Sequence, residues 1–210
     1  MTDRNPRARA TGACAPCHAL PARALAALLL AGGIAGVHAQ SWPAKPVRLV
    51  VSFAPGGAND ILGRAIAQQL TEQFGQQVVV ENRAGAGGAV GTEFVAKAPP
   101  DGYTLLLGTS SAFAIIPHLS KPNYDAQKDF APIAPFATLN YVILAHPSVP
   151  VKTVKELVAF AKARPGQLGW ATAGVGGTGH LAGEYFSSLV GIKLNHVPYK
   201  SNPAAAIDVI

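Results

Sequence analysis

Residues 167–190 read QLGWATAGVGGTGHLAGEYFSSLV, and this stretch decides the fold. Its first part, 168–173, is short and apolar, which is typical of a β-strand. Four glycines follow within 174–179, and apolar residues then recur at helical spacing up to Val190. A glycine turn that opens a helix leaves backbone N–H groups without intrahelical partners. The stretch therefore predicts a strand, a turn that can hold a small anion, and a helix that ends at Gly191.

Two upstream stretches repeat this pattern. An apolar run at 48–53 leads into the Pro-Gly-Gly sequence of 55–57, and a run at 103–107 leads into Gly-Thr-Ser-Ser at 108–111. The carboxyl ends of parallel strands meet at one edge of a sheet, where ligands bind in open α/β folds. The three loops therefore predict one shared crevice, in which hydroxyl and N–H groups donate to a ligand.

The order of elements predicts an α/β fold with mostly parallel sheets. Apolar runs alternate with helical patterns from residue 47 to 107, and such alternation places helices on both faces of a sheet. The first of these helices is expected to bury its apolar residues, which are Ile61, Leu62, Ala65, Ile66, Leu70 and Phe74. After Ser111 the pattern breaks, because Pro117 is expected to cut the next helix short.

A second α/β run is predicted from residue 141 onward. It begins with a strand at 140–145, and a helix follows Thr153, which forms a capping box with Glu156. The chain is therefore expected to fold as two lobes, 40–140 and 141–210, with a cleft between them.

The first residues, 1–39, have the pattern of a cleavable secretory signal. A basic start precedes an apolar run at 24–35, and Val37-His38-Ala39 predicts cleavage after Ala39. The alternative, a membrane anchor, needs a longer apolar run. Both cysteines would leave with this leader, so the C-x-x-C spacing of Cys14 and Cys17 is interpreted as chance. Without the leader's four Arg and one Asp the net charge falls from +6 to +3, which indicates no nucleic-acid partner.

Two enzyme classes were weighed against a binding protein. Residues 174–179 match the G-x-G-x-x-G pattern of dinucleotide sites, but no acidic residue stands at the end of the next strand. Residues 108–112 approach the G-x-S-x-G nucleophile elbow with Ala at the last position. The acids Asp125 and Asp129 and the histidines His146, His180 and His196 follow the order of a hydrolase triad only loosely.

His180 and Glu184 lie one helical turn apart, as a metal pair would. No third ligand accompanies them, so a hydrogen bond in the cleft is the preferred interpretation of His180. Lys200 is placed at a strand end, where it either pairs with an anion or is a solvated surface lysine. We expect no catalytic residue, no metal and no cofactor.

Several motifs resemble those of the Bug-type solute-binding proteins of tripartite tricarboxylate transporters. They are Trp42-Pro43, Lys45-Pro46-Val47-Arg48-Leu49-Val50-Val51, Phe53 with Pro55-Gly56-Gly57 and Asp60, Val80-Glu81-Asn82-Arg83, Gly85-Ala86-Gly87-Gly88, Asp101-Gly102-Tyr103-Thr104-Leu105-Leu106, Tyr124-Asp125, Lys128-Asp129-Phe130-Ala131-Pro132 and Val197-Pro198-Tyr199-Lys200. The resemblance extends over residues 41–200. It departs at Ser201-Asn202, where the family continues with glycine, and in length, since the chain stops at Ile210 inside an apparent helix. A C-terminally truncated family member is therefore expected.

The resemblance implies a periplasmic, monomeric Venus flytrap of the type II-like class with an incomplete second lobe. Its ligand would be a small carboxylate: a di- or tricarboxylate, an acidic amino acid or an aromatic acid. Its partners would be membrane subunits of a transporter or, alternatively, a sensor kinase. The candidate ligand-binding residues are Phe53, Pro55, Gly56, Gly57, Gly108, Thr109, Ser110, Gly174, Gly176, Gly177, Thr178, His180, Tyr199 and Lys200.

Overall fold

The computed structural model describes residues 42–210, which cluster as one compact unit. The predicted leader and its two cysteines lie outside the described residues. Within 42–210, no helix has both the length and the apolar composition needed to span a membrane.

The first sheet has three parallel strands in the order β2-β1-β3. These strands are β1 (Val47–Val51), β2 (Val78–Asn82) and β3 (Thr104–Leu107). Val47 pairs with Val78 on one side of β1, and Arg48 pairs with Thr104 on the other. The apolar residues of β1 are at most 4% exposed, which confirms the strand buried on both faces that its sequence predicts.

Two helices connect these strands, α1 (Ala58–Phe74) and α2 (Ala89–Ala96). Helix α1 packs Ala67 against Val47, Leu49 and Val78. The expected burial of Ile61 and Ala65 is wrong, because Ile61 is 62% exposed and Ala65 is also exposed. The helix instead turns Gly63 and Ala67 inward, since small residues let it approach the sheet closely.

Helical structure continues past Pro117, contrary to the expectation. A π-helical turn over Ser111–Ile115 runs directly into α3 (Ile116–Leu119). Pro117 occupies the start of α3, where the missing N–H breaks no helical hydrogen bond. The helical segment 111–119 is therefore continuous across Pro117.

The strand expected at 140–145 is absent, and residues 121–153 contain no helix or strand. Residues 131–148 are all exposed, including Val142 at 76% and Leu144 at 59%. The segment has a β-favouring composition, but no strand among the described residues lies beside it to complete a ladder. Pairing rather than propensity decides whether such a segment becomes a strand.

The second sheet is a parallel pair, β4 (Gly169–Thr172) and β5 (Asn195–Pro198). Its helices are α4 (Val154–Ala163), α5 (Thr178–Val190) and α6 (Asn202–Val209). Thr153 caps α4 as predicted, because its hydroxyl accepts a hydrogen bond from the Glu156 N–H at 3.2 Å. The Glu156 carboxylate accepts from the Lys152 N–H and not from Thr153, so the reciprocal half of the capping box is not formed. Gly191 ends α5 with a φ of 67°, as predicted.

Candidate functional site

A cavity of about 110 Å³ lies where loops from both sheets meet. It opens at the carboxyl ends of β1, β2, β4 and β5, as the crevice predicted from the sequence would. Its lining residues are Phe53, Gly85, Ala86, Gly87, Gly88, Ala173, Gly174, Tyr199 and Lys200. Four of these are glycines and two are alanines, so much of the wall is bare backbone.

Residues 85–88 form the loop between β2 and α2, and we call them the 85–88 loop. All four residues have positive φ: 147° at Gly85, 45° at Ala86, 62° at Gly87 and 101° at Gly88. Ala86 is the one residue other than glycine with positive φ within 42–210. Turn conformations that bring successive backbone N–H groups together make concave surfaces suited to anions. The N–H groups of Ala86 and Gly87 have no hydrogen-bond partner among the described residues.

The second wall comes from residues 173–177, which we call the 173–177 turn. Gly174 and Gly176 have φ of 107° and 75°. The Gly176 N–H donates to His180 Nδ1 at 3.3 Å, and the Gly177 N–H donates to the Gly174 carbonyl at 3.3 Å. These two N–H groups are therefore paired within the protein, and do not face solvent as the glycine pattern predicts. Thr178 follows as the first residue of α5.

The loop after β1 contributes one side chain to the cavity, Phe53. Its ring packs on Gly88, where an added Cβ would lie 3.4 Å from it. Pro55 and Gly56 are exposed, and Gly57 is buried beside Pro203 of α6, where an added Cβ would lie 3.7 Å from the proline ring. None of the three lines the cavity.

Asp60 in the first turn of α1 fixes the same loop. Its carboxylate, 3% exposed, accepts hydrogen bonds from Gly56 N–H at 2.9 Å, Arg64 Nε at 3.0 Å and Asn82 Nδ2 at 2.8 Å. Asn82 Nδ2 also donates to the Phe53 carbonyl at 3.1 Å. The Arg64 hydrogen bond, with those from Gly56 and Asn82, lowers the pKa of Asp60 from 3.8 to about 2, although burial opposes the shift. A buried carboxylate thus holds the loop that carries Phe53.

The loop after β3 does not line the cavity. Gly108 and Ser110 are exposed, and the Phe113 ring lies against Gly108. Thr109 Oγ1 accepts from the Ala112 N–H at 3.5 Å. The next residue, Ser111, is 1% exposed, and its Oγ lies 2.7 Å from the Gly87 carbonyl and 2.8 Å from the Gly176 carbonyl.

The groups weighed for a hydrolase triad are engaged in separate local contacts. Asp125 accepts from the Gln127 N–H at 2.9 Å, and Asp129 accepts from the Asp125 N–H at 2.7 Å. His146 Nδ1 lies 2.6 Å from Ser148 Oγ. These contacts give no acid–histidine–serine chain at Ser110.

His180 and His196 stack behind the 173–177 turn with ring centroids 4.0 Å apart. His196 Nε2 lies 2.7 Å from Thr172 Oγ1, and His180 Nε2 lies 3.8 Å from a Glu184 oxygen. Burial, followed by the charge of His180, lowers the pKa of His196, and Glu184 acts in the opposite direction. No group of three or more His, Cys, Asp or Glu side chains within 42–210 is arranged to hold a metal ion.

Tyr199 and Lys200 follow β5 and line the remaining side of the cavity. Tyr199 Oη donates to Asp208 Oδ2 of α6 at 2.7 Å, and this hydrogen bond raises the pKa of Tyr199. Lys200 is the only basic residue among those that line the cavity.

The structure thus brings together Phe53, Gly174, Tyr199 and Lys200 of the fourteen candidate residues. It adds Ala173 and the 85–88 loop, which the candidate set lacks. The missed signal was a fourth copy of the same pattern, since Gly85, Gly87 and Gly88 stand between a strand and a helix. The ligand-binding roles of all these residues remain predictions.

Comparison with known proteins identifies the family. Residues 62–210 match the TctC family, described as "Tripartite tricarboxylate transporter family receptor". The chain is 38% identical over 182 residues to "Protein BugT" of Bordetella pertussis, covering 86% of this chain and 56% of that protein. The chain therefore spans about half the length of the curated relatives it matches.

Solved structures with this fold are periplasmic binding proteins. The periplasmic binding protein BugD superposes with a TM-score of 0.71 at 35% identity, over 80% of this chain and 56% of that one. Rpa4515 of R. palustris, solved with adipate, gives the same four values. MatC (Rpa3494) of Rhodopseudomonas palustris, solved with malate, has a TM-score of 0.72 at 31% identity, over 80% and 57% of the two chains.

The α/β fold, its parallel sheets and these matches indicate a substrate-binding protein rather than an enzyme. The resemblance seen in the sequence motifs is confirmed. The chain belongs to the tripartite tricarboxylate transporter receptor family, TctC.

Proposed function

We propose that this protein captures a small carboxylate in the cavity between the 85–88 loop and the 173–177 turn, for uptake by a tripartite transporter. The cavity itself carries the proposal. Its two glycine loops bring bare backbone to the ligand, and Lys200 is placed to supply one positive charge. Relatives solved with malate and adipate support a ligand of the same class.

The N–H groups of Ala86 and Gly87 are the proposed carboxylate donors. They are unpaired among the described residues, and Ala86 and Gly87 both line the cavity. An anion bound to backbone N–H groups and a lysine forms charge-assisted hydrogen bonds, which are about twice as strong as neutral ones. Phe53 and Tyr199 would contact the apolar part of the ligand. The proposed flytrap closes two lobes, 40–140 and 141–210, over this site.

We further propose export to the periplasm, with cleavage after Ala39. The relatives' periplasmic setting and the leader pattern support this step. N-terminal sequencing of the secreted protein should give a chain that starts at Gln40. A secreted chain that retains Met1 would contradict it.

Isothermal titration calorimetry with malate and adipate measures the affinity and so tests the binding proposal. Lys200→Ala should weaken affinity about tenfold, since it removes the only cation of the cavity. Lys193→Ala is the matched control, because Lys193 is exposed and lies outside the cavity. Equal affinities of both variants would contradict a role for Lys200, and binding of neither acid by the wild-type protein would overturn the proposed ligand class.

A further inference from the structure

The two glycine loops of the cavity touch each other through their backbones. A Cβ added to Gly87 would lie 2.9 Å from the Val175 carbonyl oxygen and 3.1 Å from the Gly177 nitrogen, and Gly87 has a φ of 62°. Both the space and the backbone conformation therefore require glycine at position 87. The contact joins a loop of the first sheet to a turn of the second.

The buried Ser111 side chain contacts both glycine loops at this point. Its side chain is buried, and its Oγ lies within 2.8 Å of the carbonyl oxygens of Gly87 and Gly176. A serine hydroxyl carries one hydrogen, so the two carbonyls share a single donor. Ser111 is absent from the cavity lining, and thus acts through the two loops and not on a ligand.

The helical segment that begins at Ser111 holds this hydroxyl in place. Ala112, the next residue of the segment, is fully buried. Ile116 of the same segment lies against Gly176, where an added Cβ would meet its Cδ1 at 2.6 Å. The Ser111 hydroxyl is therefore carried by a helical segment whose own position is fixed by packing.

We propose that Ser111 is a positioning residue that sets the separation of the 85–88 loop and the 173–177 turn, and so the width of the cavity. The proposal rests on the proposed function for its effect on ligand affinity. Without the hydroxyl, two buried carbonyls lose their shared donor, and the cost of an unsatisfied buried group favours loop arrangements that let water reach them.

Ser111→Ala is the test variant, and Tyr124→Phe is the matched control. Each removes one buried hydroxyl that donates to a backbone carbonyl, but Tyr124 bonds to neither glycine loop. Affinity for malate and adipate is measured on the full chain at a temperature where both variants are folded. We expect roughly tenfold weaker binding for Ser111→Ala and less than about twofold for Tyr124→Phe.

Amide hydrogen exchange without ligand gives an independent measurement. Peptides that cover the 85–88 loop and the 173–177 turn should both exchange faster in Ser111→Ala and at the wild-type rate in Tyr124→Phe. If the wild-type chain binds neither acid, the proposed function fails, and the exchange pattern alone decides the role of Ser111.

Ser111→Cys covers the case in which the alanine variant does not fold. It keeps a small side chain and replaces a strong donor by a weak one, so ligand binding should be weaker and exchange of both loops faster than in wild type. Where Ser111→Ala folds, both values should lie between those of wild type and Ser111→Ala. Wild-type affinity and wild-type exchange in Ser111→Ala would overturn the proposal. Faster exchange spread equally over the chain in Ser111→Ala and Tyr124→Phe would overturn it as well, because it indicates a general loss of stability.

Discussion

Replacement of Asp60 by asparagine should remove most of the acid sensitivity that this side chain gives the fold. The Asp60 carboxylate accepts three hydrogen bonds, from Gly56, Arg64 and Asn82, and is 3% exposed. An amide in its place keeps one oxygen but presents an NH₂ group to N–H donors. The variant therefore loses the charge and creates a donor–donor contact.

The magnitude follows from the pKa shift. Asp60 has a pKa of about 2 in the fold against an ordinary value of 3.8. One pKa unit corresponds to about 1.4 kcal/mol, so the shift is equivalent to about 2 kcal/mol of unfolding free energy at neutral pH. Since the Arg64 side chain is 57% exposed, solvent screening reduces its share, and we expect about 1–2 kcal/mol.

The sign of the pH dependence is set by the lowered pKa. The folded protein binds its Asp60 proton less readily than the unfolded chain does. The stabilisation is therefore fully present above pH of about 5 and is lost as the pH falls towards 2. Asp60→Asn should be less stable at pH 7 by about 1–2 kcal/mol and should lack this part of the acid loss.

Urea unfolding, followed by tryptophan fluorescence at several pH values between about 2 and 7, measures both effects. Asp101→Asn is the control, because the Asp101 side chain is 42% exposed and pairs with Lys45 at the surface. Its cost should stay below about 1 kcal/mol. An Asp60→Asn protein with the wild-type unfolding midpoint at pH 7 and the wild-type loss of stability in acid would refute this reasoning.

Three further results are expected. Gly183→Ala should lower the melting temperature by a cost of about 1–3 kcal/mol, because the added methyl would overlap the Trp170 indole; an unchanged or higher melting temperature would contradict that packing. Carboxylate affinity should weaken only a few-fold between low and physiological salt, since Lys200 is the only cation of the cavity, and a steep decrease on titration would reveal a basic cluster. His196 should titrate below its ordinary pKa in a proton NMR series, so its contribution to stability is present at pH of about 7 and is lost as the pH falls through the folded value; a pKa at or above 6.5 would show that neither burial nor His180 disfavours its charge.

The sequence predicts the fold where local pattern and tertiary context agree. The apolar run of β1, the Thr153 cap of α4 and the glycine end of α5 each depend on a few neighbouring residues, and all three are found. The segment 140–145 shows the opposite case, because a strand depends on a partner that its own sequence does not contain.

The site was predictable in kind more than in detail. Glycine runs after strands indicate where the backbone is exposed to a ligand. This pattern applies to Gly174 and equally to the 85–88 loop, which the candidate set lacks. Periodicity cannot show that the Gly176 N–H is taken up by His180, or that Ser111 bonds inward while Ser110 faces solvent. Those outcomes depend on contacts between residues far apart in the chain.

Because most of the cavity lining is backbone, few side chains can change the ligand selectivity of the cavity during evolution. Six of the nine lining residues carry no side chain larger than a methyl group, and at Gly87 even a methyl group has no room. Under the proposed function, backbone donors would recognise the carboxylate common to many metabolites, and side-chain substitutions would leave these donors nearly unchanged. Discrimination between one acid and another would then be left to Phe53, Tyr199 and Lys200. Ligand specificity could thus change through two or three substitutions, while the proposed backbone hydrogen bonds to the carboxylate stay the same.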